Sequence, residues 1–141
     1  MKTVMTAKFL VLMAMVGLSA SNASATPGDG LCSGKVNGTK YEILMARTAI
    51  DAHPDDYEEV SINGVPVARF PESAFDFTFK NVGTEDKPMI LNSRTAIVGD
   101  DRMEIVYPEQ DPESDTWTIY LDLKVPSKSL DLSGIELTCQ N

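Results

Sequence analysis

The chain has 141 residues, of which 43% are hydrophobic and 23% charged, a composition typical of a globular protein rather than of a disordered or collagen-like one. Its 12 basic and 21 acidic residues give a formal net charge of −9. This acidic balance argues against nucleic-acid binding and against attachment to anionic lipid surfaces, because both require clustered lysine and arginine.

The start of the chain, residues 1–25, is predicted to be a cleaved secretory signal peptide. Lys2 and Lys8 form a positively charged beginning, Phe9–Leu18 is a continuous apolar run, and residues 23–25 (Ala-Ser-Ala) have the small-x-small pattern that a signal peptidase accepts. The apolar run would cover only about 15 Å as a helix, roughly half of a bilayer core of ~30 Å. A signal peptide is therefore favoured over a membrane helix.

The remainder, residues 26–141, is expected to be a single exported domain in the periplasm or outside the cell. No later segment is long and apolar enough to suggest membrane insertion after cleavage. Loss of the two lysines of the leader leaves 10 basic and 21 acidic residues, a net charge of −11.

Two Asn-Gly pairs predict tight β-hairpin turns in the first half of the domain. Asn37-Gly38 and Asn63-Gly64 both suit the positive φ angles of a two-residue turn. Between them, Tyr41–Ile50 fits either a strand or an amphipathic helix, and we favour the strand because the first turn requires a partner strand. Pro66 cannot donate a ladder hydrogen bond, so the strand after the second turn is expected to lie at a sheet edge or to start irregularly.

Alternation of apolar and polar residues predicts strands through the second half of the chain. Phe75–Lys80 is the clearest, with three phenylalanines on one side that are all expected in the core, at roughly 1.5–3 kcal/mol each. Thr116–Val125 is the longest, and Met103–Tyr107 and Ile135–Gln140 alternate as well. Residues 127–133 are expected to connect the last two strands.

These patterns predict an all-β domain. Turn signals separate about seven to nine short strands with no long helix between them, which disfavours a parallel sheet. We therefore expect a single antiparallel β-sandwich or a flattened barrel, with most strands placing one face on the core and the other in water.

Cys32 and Cys139 stand near the two ends of the predicted exported domain, 107 positions apart. An oxidising compartment and an even number of cysteines predict one intramolecular disulfide, with free or intermolecular thiols as alternatives. The chain-entropy model assigns about 4.7 kcal/mol to a loop of this size. Cys139 shares the apolar phase of Ile135 and Leu137, so the bridge is expected to be buried or half-buried and to tie the first segment to the last strand.

The residues that catalysis usually requires are missing from the sequence. His53 is the single histidine, and it precedes Pro54 in an acidic loop without a Gly-x-Ser-x-Gly elbow. Phosphate-binding glycine loops are absent as well. Trp117, the single tryptophan, has the phase of a core residue, which leaves no aromatic platform for a glycosidase. We predict no catalytic residue and no cofactor.

Carboxylates are concentrated in two loops, and the second resembles a calcium-binding loop. Asp111, Glu113 and Asp115 have the spacing of the first three EF-hand ligands and are weak candidates for a calcium site. Thr116 stands where the sharp turn of such a loop requires glycine, and the residues after it alternate as a strand. A solvated acidic loop is the simpler interpretation.

The sequence therefore predicts a non-enzymatic binding or interaction role. A net charge of −11 would attract a basic partner, so an inhibitor or antagonist of a basic exported or host protein is the first alternative. A weak calcium-binding domain is the second. A small hydrolase would require a deep pocket with converging polar groups, which nothing in the sequence suggests.

Overall fold

The computed structural model describes residues 30–47 and 54–140, in which the chain forms nine β-strands and two short 3₁₀ helices. The strands are β1 (Gly30–Val36), β2 (Thr39–Ala46), β3 (Tyr57–Ile62), β4 (Val65–Pro71), β5 (Phe75–Asn81), β6 (Ile90–Val98), β7 (Asp101–Tyr107), β8 (Thr116–Val125) and β9 (Leu130–Gln140). The 3₁₀ helices are Glu72–Ala74 and Pro126–Lys128. The predicted signal peptide, residues 1–25, and His53 lie outside the described residues.

All nine strands belong to one antiparallel sheet, in the order β4-β3-β2-β1-β9-β8-β7-β6-β5. Two meanders, β1–β4 and β5–β9, meet where β1 pairs with β9. The sheet curls into a half-barrel, which brings β4 close to β6 across its open side. The predicted all-β antiparallel domain is confirmed, and of the two architectures expected, the structure has the barrel-like one.

Local turn chemistry explains the two N-terminal hairpins. Asn37 and Gly38 have φ angles of 50° and 82°, and Asn63 and Gly64 have 50° and 80°, as a two-residue turn with positive φ at both positions requires. Strand β2 confirms the strand interpretation of Tyr41–Ile50 as far as Ala46, while residues 48–50 lie outside the described part of the chain.

The predicted disulfide joins the two meanders. Cys32 and Cys139 face each other directly across β1 and β9, and both are fully buried. Only three residue pairs connect these two strands, the fewest of any pairing among the described strands. Gly34 lies at the same seam, where a Cβ atom would overlap the carbonyl oxygen of Glu136. The bridge therefore reinforces the narrowest junction of the sheet.

One face of the sheet, called the inner face below, carries the hydrophobic core. Its fully or almost fully buried members come from every strand except β5: Cys32, Ile43, Val60, Phe70, Ala96, Met103, Ile105, Ile119, Leu121, Leu123, Val125, Leu137 and Cys139. Trp117 is partly buried and packs against this core, as its phase predicts. The apolar rows of neighbouring strands thus merge into one continuous core.

Two expectations for individual strands are wrong. Strand β5 forms as predicted, but Phe77 and Phe79 are 86% and 73% exposed, and only Phe75 packs against the core. Alternation fixes the side to which a residue points, whereas burial depends on a neighbour that covers it, and β5 is the last strand of the sheet. Strand β9 begins at Leu130, inside the expected connector. An irregularity at Gly134, with φ of 63°, interrupts the alternation of this strand, so the sequence pattern places its start too late.

Candidate functional site

A cluster of charged side chains lies inside the half-barrel. Glu58 on β3 is fully buried, and its Oε1 lies 3.0 Å from Arg94 Nη2 and 3.2 Å from Arg47 Nη2. Glu72 Oε1 binds the same two arginines, at 2.8 Å from Arg94 Nη2 and 3.2 Å from Arg47 Nη1. Arg94 Nη1 also donates a hydrogen bond to Tyr107 Oη at 3.3 Å. The cluster therefore links β3 and the first 3₁₀ helix to β6 and β7.

Burial dominates the electrostatics of this cluster. Desolvation raises the pKa of Glu58, and Arg94 and Arg47 offset this effect only in part. Desolvation raises the pKa of the Tyr107 hydroxyl as well. Because Glu58 is fully buried, it presents no surface to a substrate. We interpret the cluster as a clamp that holds the open side of the half-barrel together, a task for which paired and mutually compensated charges suffice.

A second polar network lies on the outer face of β5 to β8. Lys80 forms ion pairs with Asp122 and with Glu104, the latter at 3.2 Å. Desolvation lowers the pKa of Lys80, but its hydrogen bonds to the two carboxylates outweigh this effect and raise it. Thr78 Oγ1 shares hydrogen bonds with Ser93 Oγ at 2.6 Å and Thr95 Oγ1 at 3.0 Å. On the outer face, side-chain ion pairs and hydrogen bonds thus connect β5 to β6, β7 and β8.

The other side of β5 has no neighbouring strand among the described residues. The N–H of Val82 donates to the carbonyl of Met89 at 2.9 Å, in the same register as the pairing of β5 with β6. Hydrogen-bonded pairs alternate along an antiparallel ladder. Residues 76, 78 and 80 therefore direct their main-chain groups towards β6, whereas Phe77 and Phe79 direct their N–H and C=O groups away from the sheet.

The same edge is apolar. Phe77, Phe79 and Ile90 share the inner-face phase and are 86%, 73% and 57% exposed. Clusters of exposed large apolar side chains at one place usually mark an interaction surface. We call the free side of β5 together with these three side chains the β5 edge surface.

The opposite edge of the sheet, on β4, is protected against strand addition. Pro66 lacks an N–H, and a register shift leaves Val67 as an extra residue on this strand. Lys128 Nζ donates to the Val67 carbonyl at 2.6 Å, and Arg69 stacks over the Tyr57 ring at 4.0 Å. Proline and a bulge are devices by which natural sheets block edge pairing, and β5 has neither along Phe75–Lys80; its lysine, Lys80, is held in ion pairs with Asp122 and Glu104.

The weak calcium candidates lie apart from both features, in the turn between β7 and β8. Asp111, Glu113 and Asp115 are all exposed. Asp111 Oδ1 accepts a hydrogen bond from the N–H of Glu113 at 3.0 Å, and its carbonyl accepts one from the N–H of Ser114 at 3.2 Å. Residues 30–47 and 54–140 contain no group of three or more histidine, cysteine, aspartate or glutamate side chains placed to hold a metal ion. Asp111 serves as a turn residue here.

The sequence pattern points to some of these residues and not to others. The alternation along β5 predicts its phenylalanines as one apolar row, but it places all three in the core, where only Phe75 lies. Glu58 and Arg94 were not predicted. Glu58 has the same phase as buried Val60, and this is the signal that could have indicated a charged residue on the inner face.

Comparisons with family models, with curated proteins and with solved structures found no match to this chain. No helix in the described residues has the length and apolar character needed to cross a membrane. The functional conclusion therefore depends on the geometry of the site.

Proposed function

We propose that the protein is an exported, non-enzymatic binding domain. It recognises a partner polypeptide when a strand of that polypeptide pairs with the free edge of β5. The observation that carries this proposal is the exposure of Phe77 and Phe79 on a strand whose outward main-chain groups have no neighbouring strand in the described residues. Strand addition would satisfy those groups and cover the two aromatic rings in a single step.

The contrast between the two edges supports this proposal. An apolar edge strand is an aggregation hazard, and β4 carries a proline, a bulge and a capping lysine that reduce this hazard. Protection against strand addition is thus present on β4, the edge to which we assign no partner. A β5 edge without a proline or a bulge is consistent with an edge that is covered by a partner when the protein functions.

Export to the periplasm or the extracellular space is part of the proposal. It is supported by the signal-like pattern of residues 1–25 and by the buried Cys32–Cys139 bridge, which suits an oxidising compartment.

The formal charge favours a second candidate function, the inhibition of a basic exported or host protein. A chain with net charge −9 attracts cationic proteins over long distances, and salt screens that attraction. Strand addition, in contrast, depends on main-chain hydrogen bonds and apolar burial. An association rate that falls steeply with salt would favour the inhibitor, whereas a rate that changes little would favour strand addition.

A site-specific photocrosslinker tests the proposal directly. Phe79 is replaced by p-benzoylphenylalanine, and the exported fraction of the source cells is irradiated, with the same replacement at Ile97 as control. Ile97 is also 63% exposed but lies on β6, which has neighbours on both sides. We expect an identifiable polypeptide to be captured at position 79 and not at 97.

Two substitutions at Phe77 establish whether the capture depends on the strand edge. Phe77→Pro removes an outward N–H without removing a hydrogen bond to β6, and we expect it to abolish the crosslink at position 79. Phe77→Leu keeps both the N–H and an apolar side chain, and we expect it to retain the crosslink. Equal capture at positions 79 and 97, or full capture by the proline variant, would contradict strand addition.

A further inference from the structure

The residues of β5 are complementary to a second copy of themselves. Around Thr78, the strand reads Asp76, Phe77, Thr78, Phe79 and Lys80. When two such strands run antiparallel with their Thr78 residues opposite each other, Asp76 of each faces Lys80 of the other, and Phe77 faces Phe79. Opposite charges and aromatic pairs are the cross-strand combinations that stabilise antiparallel pairing.

The direction of the main-chain groups permits this register. Phe77 and Phe79 direct their N–H and C=O groups outward, so Phe77 of one copy and Phe79 of the other form a hydrogen-bonded pair. Thr78 of each copy then lies opposite its counterpart in a non-hydrogen-bonded pair. Shifting the register by two residues keeps the hydrogen bonds but places Asp76 or Lys80 opposite Thr78, so only the register centred on Thr78 pairs the charges.

We propose that the polypeptide added to β5 is a second copy of this chain, in a two-fold dimer centred on Thr78. The inference rests on the proposed function and specifies its partner. In this dimer both sheets join into one continuous sheet, and the four exposed phenylalanines, Phe77 and Phe79 of each copy, form one apolar cluster. Lys80 is 34% exposed although it is paired with Asp122, so it remains accessible to Asp76 of the second copy.

The protected β4 edge limits this assembly to two copies. Pairing through β5 uses the same surface on both copies, so a two-fold axis closes the interaction. Further growth would require strand pairing along β4. There Pro66 has no N–H to donate, and the Val67 carbonyl already accepts a hydrogen bond from Lys128. The expected product is a discrete dimer rather than a fibre.

Disulfide trapping tests the register. In the proposed dimer the two Thr78 Cα atoms lie about 4.5 Å apart, within the usual range for a disulfide. We expect Thr78→Cys to give a covalent dimer under mild oxidation. Phe77→Cys is the matched control, because the two copies of position 77 are offset by two residues along the strands and lie more than about 8 Å apart. A covalent dimer from the Phe77 variant but not from the Thr78 variant would overturn the register.

Sedimentation velocity of the unmodified chain provides a second measurement that does not depend on a new cysteine. We expect a concentration-dependent monomer–dimer equilibrium with no larger species. Asp76→Lys places a lysine opposite Lys80 of the second copy and should weaken the dimer at least tenfold, whereas Asp101→Lys, which adds the same charge away from β5, should leave it largely unchanged. A monomer at all concentrations, or equal effects of the two variants, would overturn the dimer.

The two proposals fail in different ways. If the photocrosslinker at position 79 captures a different polypeptide while the chain itself stays monomeric, the dimer is wrong and strand addition stands. If the crosslinker captures nothing and no dimer forms, both are wrong.

Discussion

Removal of the Cys32–Cys139 bridge should be the most damaging change in this domain. The loop that it closes spans 107 positions, and the chain-entropy model gives about 4.7 kcal/mol for a loop of this size. Small domains have unfolding free energies of about 5–15 kcal/mol, so the bridge represents a large fraction of the total. The structure adds a second reason, because only three residue pairs hold β1 to β9 without it.

The double variant C32A/C139A measures this contribution. Both side chains are fully buried. Because alanine is apolar and smaller than cysteine, the replacement introduces no polar group into the core but leaves a small cavity. We expect urea unfolding to show a loss of about 3–5 kcal/mol, together with a larger m-value because the uncrosslinked chain exposes more surface when unfolded. The matched control is Ser33→Ala, a neighbouring change at the seam that leaves the bridge intact. A loss below about 1 kcal/mol would refute the reasoning that the bridge stabilises the weakest junction of the sheet.

Three further predictions concern other positions. Gly34→Val should destabilise the fold by at least about 1–3 kcal/mol in thermal unfolding, because its Cβ would overlap the Glu136 carbonyl, and unchanged stability would exclude the close approach of β1 and β9. Burial raises the pKa of Glu58 above 4.5, so the folded state holds a proton that the unfolded state releases, and the stability contribution of Glu58 falls as pH rises above 4.5. Glu58→Gln should therefore gain stability relative to the unmodified protein as pH rises through that window, and a difference independent of pH would disprove the effect. Millimolar calcium and chelators should leave the melting temperature unchanged, because Asp111 is engaged in its own turn; a clear rise with calcium would restore the metal hypothesis.

Features that depend on local chemistry could be predicted from the sequence. The Asn-Gly pairs define their turns through the φ angles that these two residues tolerate, and Thr116–Val125 coincides with β8 because its alternation is uninterrupted. The phase of Cys139 predicted its burial for the same reason. In each case the information lies within a few consecutive residues.

Features that depend on distant neighbours could not be predicted. Phe77 and Phe79 have the pattern of core residues, and only the order of strands shows that β5 stands at the end of the sheet. Glu58 and Arg94 are 36 positions apart in sequence, and each appears solvated until the curl of the sheet brings their strands together. The start of β9 was obscured because Gly134 shifts the alternation within one strand.

Amide hydrogen exchange along β5 tests the central claim, that the free edge of this strand is the recognition surface, most directly. At a concentration low enough for the chain to be monomeric, the amides of Asp76, Thr78 and Lys80 should exchange slowly because they bond to β6, while those of Phe77 and Phe79 should exchange quickly. In the complex with the polypeptide captured at position 79, the Phe77 and Phe79 amides should become slow as well. Fast exchange at both positions in the complex, or slow exchange already in the monomeric chain, would contradict the account.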